Sequence, residues 1–142
     1  MSFKLNPTLE ADSYVLGTFP LSLLLLINDS QYPWFTLVPQ RSNISEIYEL
    51  SETEQTQLWL ESRQLSIAVM QVHKGDKLNV AAIGNMVNQL HLHHVVRFKT
   101  DKCWPKPIWG QLPMKPYILP EVNKLKTQLI MGLKHTQFEP ST

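Results

Sequence analysis

The sequence predicts an α+β fold, an antiparallel β-sheet with one long central helix and a C-terminal helix. Three observations predict it. Apolar stretches of strand character are separated by short turn-forming clusters, only two segments carry an extended helical period, and strands and helices do not alternate as a parallel sheet requires. The 142 residues, 43% apolar and 18% charged, fit one domain over residues 1–142, with neither disorder nor a tandem architecture expected.

Asn6-Pro7-Thr8-Leu9-Glu10 opens a short helix: Asn6 can cap it, and Pro7 at the first helical position lacks only an N–H that has no partner there. Residues 14–17 and 21–28 read as strands, the second stopped by Asn28-Asp29-Ser30, and 34–38 follows as a third, stopped by Pro39. The short polar turn between the last two suggests a hairpin. Ser51-Glu52-Thr53-Glu54 is a capping box, and Leu58, Ser62, Leu65, Val69 and Val72 recur at spacings of three and four, giving an amphipathic helix of about five turns that ends at Lys74-Gly75. Residues 76–82 and 89–98 read as two more strands linked across Gly84-Asn85. Residues 101–116, rich in Trp and Pro, are expected to lie as a loop over a surface, and 120–133 to close the chain as a helix.

Charge and cysteine content exclude several function classes. With 13 basic and 12 acidic residues the net charge is +1, so no basic face for a nucleic-acid polymer is expected. The single cysteine, Cys103, excludes an internal disulfide framework and any cysteine-based zinc site. The apolar run 21–27 is far shorter than the roughly 20 residues that span a bilayer. The first residues also lack a signal-peptide layout, so a cytoplasmic protein without membrane attachment is expected.

Three of the five histidines fall in Gln89-Leu90-His91-Leu92-His93-His94-Val95-Val96. Strand alternation through this segment sets Gln89, His91, His93 and Val95 on one face and Leu90, Leu92, His94 and Val96 on the other. Two imidazoles and an amide are poor core filling, because each brings polar atoms that need partners. A His-x-His pair can chelate a metal, but a third protein ligand is normally required and no His-x-x-Glu or Cys pattern supplies it. The other use is nucleophilic, because neutral imidazole attacks phosphorus to give a labile phosphoramidate. That chemistry needs phosphate donors nearby, and Asn79, Gly84 and Asn85 are candidates: Gly84 lets the backbone approach a ligand and the two amides donate without charge.

The run Gly84-Asn85-Met86-Val87-Asn88-Gln89-Leu90-His91-Leu92-His93 resembles the signature of the histidine-triad (HIT) family, Gly-Gln-x-Val-x-His-φ-His-φ-His-φ-φ with φ apolar. Phe35-Thr36-Leu37-Val38-Pro39 is similar to the family's apolar strand ending in proline, and Ile44-Ser45-Glu46-Ile47-Tyr48-Glu49-Leu50-Ser51 to its approach to the long helix. The motif core covers about residues 15–110, the C-terminal loop and helix 101–142. Trp104-Pro105-x-Pro107-x-Trp109-Gly110 is similar to a divergent bacterial branch.

The resemblance implies a HIT-like fold, a homodimer, and hydrolysis or transfer at the α-phosphate of a nucleotide substrate such as a nucleoside phosphoramidate, adenylyl conjugate or dinucleoside polyphosphate. It implies no metal and no organic cofactor. By position, His91 falls on the histidine that forms a nucleotidyl-histidine, His93 on the one that helps bind the phosphate and leaving group, Asn79 on a phosphate-contacting asparagine, and Asp29 on the acid that holds the ribose hydroxyls. Asn85 and Gln89 join the expected phosphate donors. Two departures stand out: Gln89 replaces the first histidine of the triad and Asn85 the glutamine. Glutamine can hydrogen-bond but not carry a proton's charge, so slow turnover of poor leaving groups is expected. A rival register, with His91 first and His93 as nucleophile, puts Val95 in the third place and breaks the match of Gly84 and Val87. Other readings are a nucleotide-binding regulatory protein without turnover and, less favoured, a His91–His93 metal site.

Further residues carry expectations of their own. Trp34, Trp59, Trp104 and Trp109 can pack in a core or stack on a base, the last two being better placed by their loop. His73 and His135 end helices, where the dipole favours a cation. His94 is expected in packing or a dimer contact, and Arg97 at a phosphate or a solvated strand end. Cys103 is expected to be an ordinary loop residue.

Overall fold

The computed structural model describes residues 2–142. Its elements are α1 (Pro7–Ala11), β1 (Ser13–Thr18), β2 (Ser22–Ile27), β3 (Trp34–Pro39), a 3-10 turn (Ile47–Glu49), α2 (Glu52–His73), β4 (Lys77–Ala81), β5 (Leu92–Arg97), α3 (Leu119–Gly132) and β6 (Glu139–Pro140). The strands form one antiparallel sheet in the order β4-β5-β3-β2-β1-β6. This is the predicted α+β class, with β6 added at an edge. Gly17 admits β6, because a Cβ there would lie 2.2 Å from the Glu139 carbonyl oxygen.

Both sides of the sheet are covered. On one, Leu24, Leu26, Phe35, Leu37, Leu92 and Val96 pack with Leu58, Leu65 and Val69 of α2 and with Val122, Leu125 and Leu129 of α3 as the main core. The Ser51 capping box starts α2 as its spacing predicts, and Lys74, in the left-handed conformation, ends it. On the other side two smaller apolar clusters stand apart. Leu9 of α1 seals Leu25 and Val38, while Cys103 and Ile108 of the proline-rich loop seal Tyr32 and Val95. Cys103 is therefore buried in a cluster, within 3.4 Å of the Tyr32 hydroxyl. No helix among the described residues is long and apolar enough to cross a membrane.

The strand expected at 89–98 is shorter than its pattern suggested: the ladder holds only from Leu92 to Arg97. Upstream, the Gln89 carbonyl is taken by the His91 ring, and the Leu90 N–H donates to the Ile44 carbonyl. With side chain and loop taking these backbone groups, alternation does not extend to Gln89. His73 ends α2 as expected, but burial holds its pKa below the ordinary value and opposes the charge that the dipole favours. His94 is wholly buried beneath α2, which makes it a packing residue within the chain.

Candidate active site

Between the two smaller clusters lies a cavity of about 420 Å³, lined by His91, His93, Trp34, Trp109, residues 83–87, Ile27, Met114, and Thr8, Leu9 and Asp12 at the end of α1. β5 delivers His93 next to Thr36 of β3, its cross-strand partner, and Trp34 stands two pairs further along the same strands, on the same face. The His91 and His93 rings meet edge to face with centroids 4.7 Å apart. Both residues are buried, at 7% and 5% exposure.

Hydrogen bonds assign the two rings different forms. His91 Nδ1 lies 2.7 Å from the Gln89 carbonyl oxygen, which only accepts, so Nδ1 carries the hydrogen and the lone pair sits on Nε2. Trp34 Nε1, which only donates, lies 2.9 Å from His93 Nδ1, so in His93 the lone pair is on Nδ1 and the hydrogen on Nε2. One imidazole therefore offers a nucleophilic nitrogen and its neighbour a hydrogen-bond donor. Burial, reinforced by the adjacent His91 and His94, pushes the His93 pKa down to about 3, so this donor is neutral. Trp109 encloses it further, packed against both His93 and Trp34, with its own indole N–H buried and unpartnered.

The loop opposite is built for close approach. Gly84 takes φ +64°, a left-handed conformation that favours glycine, and no hydrogen bond within the described chain takes up the backbone N–H groups of residues 84–88. Asn85 lines the cavity beside them, and no lysine or arginine does. Phosphate binding here would use neutral donors in a partly dry site, where each hydrogen bond counts for more than in water.

Of the residues singled out in the sequence, His91, His93 and Asn85 come together in this cavity and three do not. The Gln89 amide turns away: its oxygen accepts from the Asn6 N–H and its nitrogen donates to the Lys4 carbonyl, both at 2.9 Å. It borders an open groove of about 560 Å³ beside residues 4–7 and 43–45, which reaches neither cavity histidine, and it meets His91 only at a recess of about 10 Å³ behind Gly84 and Leu90. Asp29 is buried with its Oδ1 already accepting from the Gln31 backbone and side chain and from the Lys115 N–H, so it fastens the chain around residue 115 and does not line the cavity. Asn79 sits on β4 with its carbonyl taken by Arg97. Arg97 is neither at a phosphate nor solvated; it is 1% exposed and grips both Asp101 oxygens, at 2.9 and 3.0 Å. Asp101 also accepts from the N–H groups of Phe98, Cys103 and Trp104, which fastens the start of the loop that carries Trp109. Trp104 lies over the Arg97 guanidinium and Trp59 is exposed on α2, so of the four tryptophans only Trp34 and Trp109 line the cavity.

Sequence reasoning missed Trp34 as a partner of His93, and Asp12. Asp12 lines the cavity, and its side chain makes no hydrogen bond or ion pair with any described residue, while its backbone oxygen accepts from Asn28. Strand pairing of 34 with 95 was the signal that could have found the first; nothing local marks the second. Among the described residues no three His, Cys, Asp or Glu side chains gather as a metal site would need.

The HIT domain pattern matches residues 8–100. Three solved structures of histidine-triad proteins are similar to the chain over nearly its whole length. That from Marinobacter aquaeolei is 46% identical with a TM-score of 0.92, covering 94% of this chain and 98% of its own. That from Bradyrhizobium japonicum is 38% identical with a TM-score of 0.92, covering 94% and 99%. That from Sinorhizobium meliloti is 34% identical with a TM-score of 0.91, covering 92% and 97%. No curated protein matches the chain in sequence. A sheet that sets two unlike imidazoles in one cavity, the motif that positions them, and these relatives lead to one assignment: the chain belongs to the histidine-triad family.

Proposed function

We propose that this chain is a nucleotide hydrolase or transferase that acts at the α-phosphate through a nucleotidyl-histidine on His91. The observation that carries this reading is the His91 Nδ1–H bond to the Gln89 carbonyl, which leaves Nε2 as the free nucleophilic atom beside a neutral N–H donor on His93. The Gln89 carbonyl also supports the positive charge that develops on the ring as the N–P bond forms. Asn85, His93 Nε2–H and the free amides of residues 84–87 supply donors for the phosphoryl oxygens, the kind of preorganised stabilisation on which phosphoryl transfer depends. The apolar walls Leu9, Ile27, Met86 and Met114 suit a nucleobase. At that end we assign the Asp12 carboxylate, in place of Asp29, to accept from nucleoside hydroxyl or amino groups. The substrates in view are nucleoside phosphates carrying a second group on the α-phosphorus.

The test is to mix the protein with such a substrate, quench in acid and examine the peptide containing His91 by mass spectrometry. A nucleotidyl adduct on His91, absent in His91→Ala, is the expected result. Nucleotide binding with neither adduct nor turnover would favour the regulatory reading instead. We also propose a homodimer, since Trp59, Leu60 and Ile67 leave apolar surface exposed on α2; sedimentation checks it.

A further inference from the structure

Resting on that reading of His91, we propose that Trp34 sets the class of leaving group: by donating to His93 Nδ1 it holds this histidine as a fixed Nε2–H donor that cannot serve as a general acid. The site then cleaves bonds from phosphorus to groups that depart as stable oxyanions, such as phosphates, polyphosphates and carboxylates, in strong preference to bonds to basic amines.

An imidazolium needs hydrogen on both nitrogens, and a hydrogen on His93 Nδ1 would point at the indole N–H, which accepts nothing. Charging His93 therefore requires the loss of the Trp34 bond as well as the burial of a cation between Trp34, Trp109 and His91. Burial already holds this ring neutral far below pH 7. The groups facing it from neighbouring elements are Thr36 of β3, Ala81 of β4 and Trp109 of the loop, none of which is an acid at neutral pH. Nearby Arg97 is tied to Asp101, and Asp12, beside Asn28 at the end of β2, is an acceptor when ionised. The Gln89 amide is engaged elsewhere. No lysine, cysteine or tyrosine lines the cavity.

The bond changes follow. The His91 Nε2 pair forms the N–P bond, the bond from phosphorus to the leaving atom breaks, and its electron pair stays on that atom. A phosphate or carboxylate oxygen holds the pair as an anion, stabilised by the His93 N–H and Asn85. An amine nitrogen would have to receive a proton first, and no residue of the cavity supplies one. In the second step a water oxygen bonds to phosphorus, the N–P pair returns to His91, and the released proton goes to solvent.

The experiment compares kcat/KM, at pH 7, for nucleoside 5′-phosphoryl derivatives with one nucleoside and a graded series of oxygen leaving groups, together with an amine phosphoramidate. It uses the wild type and Trp34→Phe, with ¹⁵N NMR of the histidine rings alongside. Expected are a steep dependence on leaving-group acidity, a disadvantage for the amine of about a hundredfold or more, and a His93 signature of hydrogen on Nε2 only. Trp34→Phe keeps an aromatic wall and should narrow the gap between amine and oxyanion substrates by about tenfold while mixing the His93 tautomers. An amine turned over as fast as an oxyanion by the wild type overturns the proposal, and so does a Trp34→Phe variant that slows all substrates equally with the tautomer unchanged. If no substrate gives turnover or an adduct on His91, the nucleotidyl-histidine reading itself fails and this proposal with it.

Discussion

His93 and His94 are chain neighbours on one strand, both buried and both held neutral, yet they do opposite things. His94 faces α2, where its Nδ1 donates to the Leu92 carbonyl at 3.0 Å and its Nε2 accepts from the Ser62 hydroxyl at 2.7 Å. Both nitrogens are satisfied, and the ring closes a gap under the helix. His93 faces the cavity, where Trp34 takes one nitrogen and the other has no hydrogen-bond partner among the described residues. Burial lowers both pKa values, to about 4 for His94 and about 3 for His93, so a perturbed pKa does not separate site from scaffold here. What separates them is hydrogen-bonding capacity left over after folding.

The sharpest way to break this comparison is to remove the imidazole proposed as nucleophile, next to the unfinished side. His91→Ala should lower turnover by about a thousandfold or more while leaving nucleotide affinity within about tenfold, since it removes a bond made during reaction. Steady-state kinetics with calorimetric binding checks it, and retention of full activity would sink the covalent mechanism.

On the finished side the effect should fall on stability instead. His94→Leu leaves the Ser62 hydroxyl buried without its imidazole partner and takes a second donor from the Leu92 carbonyl, and should destabilise the fold by about 1–3 kcal/mol, while turnover changes only a fewfold. Adding Ser62→Ala should recover part of that loss. Urea unfolding of the three proteins checks the sign and the order.

Acid tests both sides together. In the unfolded chain each imidazole takes up a proton below about pH 6.5, whereas the folded chain keeps His94 neutral to about 4 and His93 to about 3. Stability from these two groups is therefore fully present above pH 6.5 and falls as the pH drops from there. Near pH 5, unfolding should take up about two protons from this pair, His73 adding to it in the same direction. Stability measured against pH reads that number from the slope.

The smallest effect should come from Gln89, the residue whose departure from the triad was most conspicuous in sequence. Gln89→Leu removes the bonds to Lys4 and Asn6 and should cost about 1–2 kcal/mol. Gln89→His should change turnover by the same modest factor for amine and oxyanion leaving groups. A selective gain on the amine would return Gln89 to the chemistry.

The sequence by itself determined the α+β class, the span of α2 from its capping box to Lys74, and the His91/His93 pair, because capping, period and motif act between residues close in the chain. It also marked Asn85 through the turn at Gly84. Tertiary structure decided the rest. Whether Gln89 faces the histidines depends on where Lys4 and Asn6 lie, 85 and 83 residues away. Asp29 and Asn79 had the right chemistry, but the fold sets both outside the cavity, where Asp29 Oδ1 holds Gln31 and Lys115 and the Asn79 side-chain oxygen accepts from Arg97. Trp34 read as strand filling until β3 and β5 paired and set its N–H against His93, 59 residues away. A polar side chain can serve a ligand only with the hydrogen-bonding capacity its folded neighbours leave free, and those neighbours are distant in the chain.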